Sequence, residues 1–176
     1  LSPPPPPQLV AGVSSLELRA GIGLLGLVGT TAGVTGGTAV RVTLAGERWS
    51  VSLDGRAELP RTMEAGPGAV TVTNLLGALS PCIHVRAFGA CGVFAAGVTR
   101  VSSSGLEGAR EATAPLLQAG GRLKADFELT SRLSLGGSID VLTPLSRAVL
   151  RVGDEPLWTT PPVSASGGIF LSFSLF

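Results

Sequence analysis

RWSVSLDGRAEL, residues 48–59, places Arg48, Ser50, Ser52, Asp54, Arg56 and Glu58 at even positions, and Trp49, Val51, Leu53, Gly55, Ala57 and Leu59 at odd ones. Successive side chains of a β-strand point to opposite faces, so this stretch has one polar face and one apolar or small face. A helix would mix the two. Leu117 to Leu129 repeats the arrangement, with Gln118, Arg122, Lys124, Asp126 and Glu128 against Leu117, Ala119, Leu123, Ala125, Phe127 and Leu129. Arg132, Ser134, Ser138 and Asp140 alternate with Leu133, Leu135, Ile139 and Val141, and Glu17 and Arg19 alternate with Leu16, Leu18, Ala20 and Ile22.

Composition agrees with a β-rich chain in an apolar solvent. The 176 residues carry 14% charged and 44% hydrophobic residues, where a soluble domain is about a quarter charged. Gly 25 and Pro 13 weaken helix interiors, and a net charge of +1 gives no electrostatic footprint for nucleic acid. Ala20 to Val40, Ala65 to Val85 and Pro156 to Phe176 lack charge over about the length of a membrane helix. The first is rich in glycine and threonine, and prolines interrupt the other two, so strands are the expected spanning elements.

Turn and strand signals divide the chain into a proline-rich linker at 1–10, with Pro3 to Pro7 favouring an extended spacer, and a single barrel domain at 11–176. Eight strands are expected near 11–24, 35–45, 48–59, 69–84, 90–102, 116–129, 132–144 and 163–176. Short connections near 46–47, 86–89 and 130–131 alternate with long ones at 25–34, 60–68, 103–115 and 145–162. This is the asymmetry of an all-β, antiparallel, up-and-down transmembrane barrel with short periplasmic turns and longer extracellular loops. Within the fourth loop, Val149 to Val152 and Glu155 to Trp158 read as a ribbon continuing strands seven and eight, with an edge open to a partner strand.

Charge placement sets the faces. Glu17, Arg19, Arg41, Asp54, Arg56, Glu58, Arg122, Lys124, Asp126, Glu128 and Asp140 all lie on polar strand faces, and they are expected to form a charge network in the lumen. Arg48 and Arg132 lie on polar strand faces as well, and among the charges then left only Arg100 falls outside a proposed turn or loop. Eight strands enclose an interior only wide enough for side chains, so opposite charges in near balance are expected to fill it and leave no open pore. A soluble barrel carrying an apolar ligand would show the same alternation with its faces exchanged.

Nearly the whole chain, from about residue 11 to 176, resembles the small outer-membrane β-barrel class of Gram-negative bacteria, the OmpA/OmpX-like proteins. The resemblance rests on alternation, loop asymmetry and the terminal strand GIFLSFSLF at 168–176. It implies outer-membrane localisation, contact with lipid and with the outer-membrane assembly machinery, and an assembly signal in Phe170, Phe173 and Phe176. Alternation places Ile169, Leu171, Phe173 and Leu175 toward lipid and Ser172 and Ser174 toward the lumen, leaving Phe176 out of phase. Tyr is absent and Trp is confined to Trp49 and Trp158, so the aromatic girdles are expected to be thin.

Cys82 and Cys91 flank the short connection at 86–89, close enough across a hairpin to pair. The alternative is two free buried thiols. His84 is the only histidine, and Ser80, Cys82 and His84 share a strand face, the one constellation pointing to covalent catalysis. No GxSxG, P-loop, HExxH or dinucleotide fingerprint is present, and no cofactor, metal site or catalytic residue is expected. The sequence therefore reads as a non-enzymatic barrel with a structural or surface-interaction role, any protein partner being met through the long loops. A membrane hydrolase using His84 is the third reading.

Overall fold

The computed structural model describes residues 16–30, 33–65, 68–104, 111–146, 149–152, 155–159 and 161–175. The strands are β1 (Glu17–Val28), β2 (Val34–Ala45), β3 (Trp49–Glu58), β4 (Arg61–Ala65), β5 (Gly68–Val85), β6 (Phe88–Ser104), β7 (Ala112–Glu128), β8 (Leu133–Pro144), β9 (Val149–Val152), β10 (Glu155–Thr159) and β11 (Ser164–Ser174). No helix long and apolar enough to cross a membrane occurs among the described residues.

All barrel ladders are antiparallel; most join sequence neighbours, β3 also pairs with β5 past β4, β8 pairs with β11 past β9 and β10, and β1 meets β11 to close the barrel. Eight staves result, because β3 and β4 together form the third. Leu59 and Pro60 interrupt it; β3 pairs with β5 through Trp49 to Ala57, and β4 pairs with the outer end of β5. Proline has no N–H to give to a ladder, which accounts for the break. The expected strands at 11–24 and 116–129 differ most from the structure, the latter starting already at Ala112, whereas the one at 163–176 matches β11 within two residues. The first stave runs on to Val28, turning at Gly29 and Gly33, both with positive φ, while its expected start at 11–15, the linker at 1–10 and Phe176 lie outside the described residues.

Three connections, 46–48, 86–87 and 129–132, lie at the end that also holds both ends of the barrel. The second expected long loop is instead mostly strand, since β4 and β5 form a hairpin there. The ribbon in the fourth loop also differs from expectation. β9 and β10 pair only with one another, as a separate two-stranded sheet, because Pro144, Pro161 and Pro162 separate them from β8 and β11.

The alternation resolves with its polar face inward. Ser50, Ser52, Asp54, Arg56 and Glu58 are buried, whereas Leu53 is 60% exposed and Leu123 67%. The soluble reading, which needs the reverse, is overturned. On β5 the outward residues from Leu75 to Val85 are apolar or small. At about 3.3 Å per residue and a tilt of about 40°, that span rises about 25 Å, the height of a barrel's hydrocarbon band. Trp49, Phe88, Phe127 and Phe173 all face outward at the short-turn end and make one aromatic girdle there.

Candidate functional site

The lumen is built from register. Arg41 is the direct cross-strand partner of Asp54 between β2 and β3, and Arg122 is the partner of Asp140 between β7 and β8. Each pair is held by two hydrogen bonds: Arg41 Nε and Nη2 donate to Asp54 Oδ1 and Oδ2 at 2.7 and 3.3 Å, and Arg122 Nε and Nη2 donate to Asp140 Oδ1 and Oδ2 at 2.7 and 3.0 Å. Two contacts then cross the lumen. Arg56 Nη2 reaches Asp140 Oδ2 at 2.6 Å from the opposite wall, and Arg122 Nη2 reaches Asp54 Oδ2 at 2.7 Å. Arg56 also lies 3.3 Å from Asp54.

Three guanidiniums thus share two carboxylates in a plug, and all five side chains are at most 7% exposed. The third positive charge has a second partner, since the Arg41 guanidinium carbon stands 3.7 Å from the Phe170 ring centroid. Charges that are desolvated but multiply hydrogen-bonded hold geometry more than they add stability. The plug spans the lumen from β3 to β7 and β8.

On the outer side of the plug the lumen is largely apolar, which charge counting does not anticipate. Leu76, Ala78, Val93, Ala95, Leu116 and Leu142 form one buried cluster and Leu25, Leu27, Ala39 and Phe170 another. Between them, Asn74 Nδ2 donates to Glu58 Oε2 at 2.9 Å and Thr99 Oγ1 donates to Asn74 Oδ1 at 2.7 Å. The ion pairs of the plug therefore do not extend into this outer half of the lumen. Alternation alone cannot reveal this, because Leu76 and Val93 occupy inward positions on strands whose outward positions are equally apolar.

On the short-turn side the lumen opens into a polar vestibule of about 330 Å³, floored by Arg41 and lined by Arg19, Ser50, His84, Lys124 and Asp126. Arg19 pairs with Glu17 at 2.6 Å and approaches Glu128, itself exposed, at 3.6 Å. Lys124 Nζ lies 3.2 Å from Asp126 Oδ2 and 3.4 Å from Ser50 Oγ. Ser50 Oγ in turn lies 2.8 Å from His84 Nε2.

His84 therefore meets a serine on β3 and neither of the two candidates on its own strand. Cys82 is bonded to Cys91, both buried in the lumen, and Ser80 Oγ has no hydrogen-bond partner among the described residues. The Ser50 contact could be found in the sequence only by pairing β3 with β5, where Ser50 is the register neighbour of Cys82. In the terminal strand Phe170 is buried beneath Arg41, whereas Ile169, Leu171, Phe173 and Leu175 face outward.

No family model matches the chain, and no curated protein matches it. Solved structures do match over almost their full length. Ail, the attachment invasion locus protein of Yersinia pestis, solved in complex with the heparin analogue sucrose octasulfate, superposes with a TM-score of 0.54 at 8% identity, covering 90% of this chain and 96% of Ail. Neisserial surface protein A gives a TM-score of 0.51 at 8% identity, covering 91% and 97%. The fold is thus that of the small eight-stranded outer-membrane barrels.

Proposed function

We propose that the chain is an integral outer-membrane barrel of a Gram-negative bacterium, non-enzymatic and closed to diffusion, with a structural or surface-interaction role. The single observation that carries this reading is the pairing of an apolar exterior with a lumen plugged by Arg41, Asp54, Arg56, Arg122 and Asp140. Transport through such a lumen would require breaking several charge-assisted hydrogen bonds inside a desolvated space.

Surface recognition falls to the end away from the short turns. There β4, β5, β6 and β7 run on beyond the apolar band, and outward residues become Thr62, Thr71, Thr73, Arg100, Ser102 and Thr113. A polar sheet raised above a membrane on a rigid barrel is suited to meeting a protein partner. The names of Ail and Neisserial surface protein A state attachment, invasion and surface location of those proteins, which agrees with this role. The two-stranded β9–β10 sheet belongs to the same end of the molecule.

Phe170, Phe173 and Phe176 are proposed to act as the signal read by the outer-membrane assembly machinery. Fractionation and planar-bilayer recording test the whole reading. The folded protein should sediment with outer membranes, migrate differently when heated, and show no large steady conductance. A wide, stable monomeric pore would contradict it.

A further inference from the structure

We propose that the outward wall formed by β5, β6 and β7 binds a phosphate-bearing lipid, its headgroup on Arg100 and its hydrocarbon chain in the groove below. The inference rests on the membrane placement proposed above.

Cross-strand register orders this wall in rows. Thr73, Arg100 and Thr113 are successive partners across β5, β6 and β7, and Leu75, Val98 and Pro115 form the row beneath them. Gly77, Ala96 and Leu117 form the row below that. Thr99 bonds Asn74 inside the lumen, so Arg100 faces out, and it is exposed. It stands where the outward face turns from apolar to polar, one row above the last apolar residues.

On the outward faces of the barrel staves, Arg100 and Glu64 are the only charged residues among the described residues, and Glu64, opposite Ala69, lies farther toward the tip of the extension. A guanidinium between two threonine hydroxyls offers a donor fork and two further donors in one line, which matches the oxygens of a phosphate.

The groove supplies the second half of the site. Small residues at Gly77 and Ala96 leave a depression of about 330 Å³ in the outer surface, walled by Leu53, Leu79, Phe94 and Leu117. Ala96 and Arg100 share one face of β6, about 13 Å apart at about 3.3 Å per residue, with Val98 between them. A chain anchored by its phosphate at Arg100 runs over Val98 straight into the depression. Both parts lie at the level where a bilayer's headgroups give way to hydrocarbon, so one amphiphile satisfies both.

The test uses the full chain in maltoside micelles, with backbone amide shifts followed by NMR. Three probes are titrated: dioctanoyl phosphatidic acid, dioctanoylglycerol and inorganic phosphate. Phosphatidate should shift the amides of residues 96–100 saturably, and Arg100→Gln and Ala96→Phe should each weaken its binding about tenfold. Dioctanoylglycerol should bind weakly and equally to the parent and to Arg100→Gln, and phosphate alone should not saturate. Unchanged phosphatidate affinity in both variants would overturn the proposal, as would phosphate alone reproducing the shifts with equal affinity. Both substitutions face outward, so heat-modifiable migration should persist in both variants. A failed lipid site with intact migration would leave the membrane-barrel reading standing, whereas loss of migration in the parent chain would remove that reading first.

Discussion

Asp54 holds more of the plug than any other side chain, accepting from Arg41, Arg56 and Arg122 with its side chain wholly buried. Replacing it by alanine leaves three guanidiniums in a desolvated lumen with one carboxylate, so Asp54→Ala should destabilise the barrel by about 3–5 kcal/mol. Glu128→Gln removes a charge of the same sign from an exposed position 3.6 Å from Arg19 and should cost less than about 1 kcal/mol. Denaturant unfolding of both variants in lipid vesicles, followed by Trp fluorescence, measures the difference; equal losses would show that the plug is not a mutually dependent unit. At this scale the sequence identifies which charges face the lumen and half of their partners. A short turn at 46–48 brings Arg41 opposite Asp54, and one at 129–132 brings Arg122 opposite Asp140. The contacts from Arg56 to Asp140 and from Arg122 to Asp54 depend on how closure staggers the staves, and no local pattern records that. The Ser50–His84 contact was hidden for a different reason: β3 meets β5 past β4, so no short turn sets the register between them.

Among the elements, β5 and β6 show how one residue's chemistry is offset by another's. Their ladder runs from Ala69–Ser104 to Leu79–Phe94, lacks pairs at Ser80 and Pro81, and resumes at Cys82–Cys91 without a change of register. Pro81 has no N–H to donate, and the cystine at Cys82–Cys91 ties the strands together beside the gap. Protein exported through an oxidising compartment should therefore show no alkylatable thiol before reduction, and Cys82→Ser with Cys91→Ser should cost about 2–3 kcal/mol in the chain-entropy model. Two free thiols in mass analysis would contradict the pairing. The last strand carries a different load, since β11 pairs with β8 on one side and β1 on the other. Without it, both neighbours would expose unpaired backbone to hydrocarbon at a few kcal/mol per group. Deleting Gly168 to Phe176 should abolish membrane assembly, and a truncated chain that still inserted and resisted protease would show that closure lies elsewhere. Strand centres and inward faces were legible because alternation has a period of two. The stave break at Pro60 and the detached β9–β10 sheet were not, because a proline marks an interruption without saying whether the chain resumes the same ladder.

For the molecule as a whole, the decisive feature is the sign of the inside and the outside. Sequence alternation is symmetric between a soluble barrel and a membrane barrel, and low charge and loop asymmetry favour the second without placing any one side chain. The closed sheet removes that symmetry: Asp54 and Lys124 lie inside while Leu53 and Leu123 form part of an apolar wall edged by Trp49, Phe88, Phe127 and Phe173. What composition could not convey is that the lumen is divided, with a polar vestibule, an ionic plug and an apolar outer half in succession. Inward leucines and outward leucines read alike in a list of residues. The membrane placement of the wall is tested most directly by spin labels introduced one at a time at positions 53, 54, 123 and 124 of the protein in lipid vesicles. Labels replacing Leu53 and Leu123 should be readily relaxed by oxygen dissolved in the bilayer, and labels replacing Asp54 and Lys124 should be protected from it. High oxygen accessibility at 54 and 124, with 53 and 123 shielded, would contradict the account.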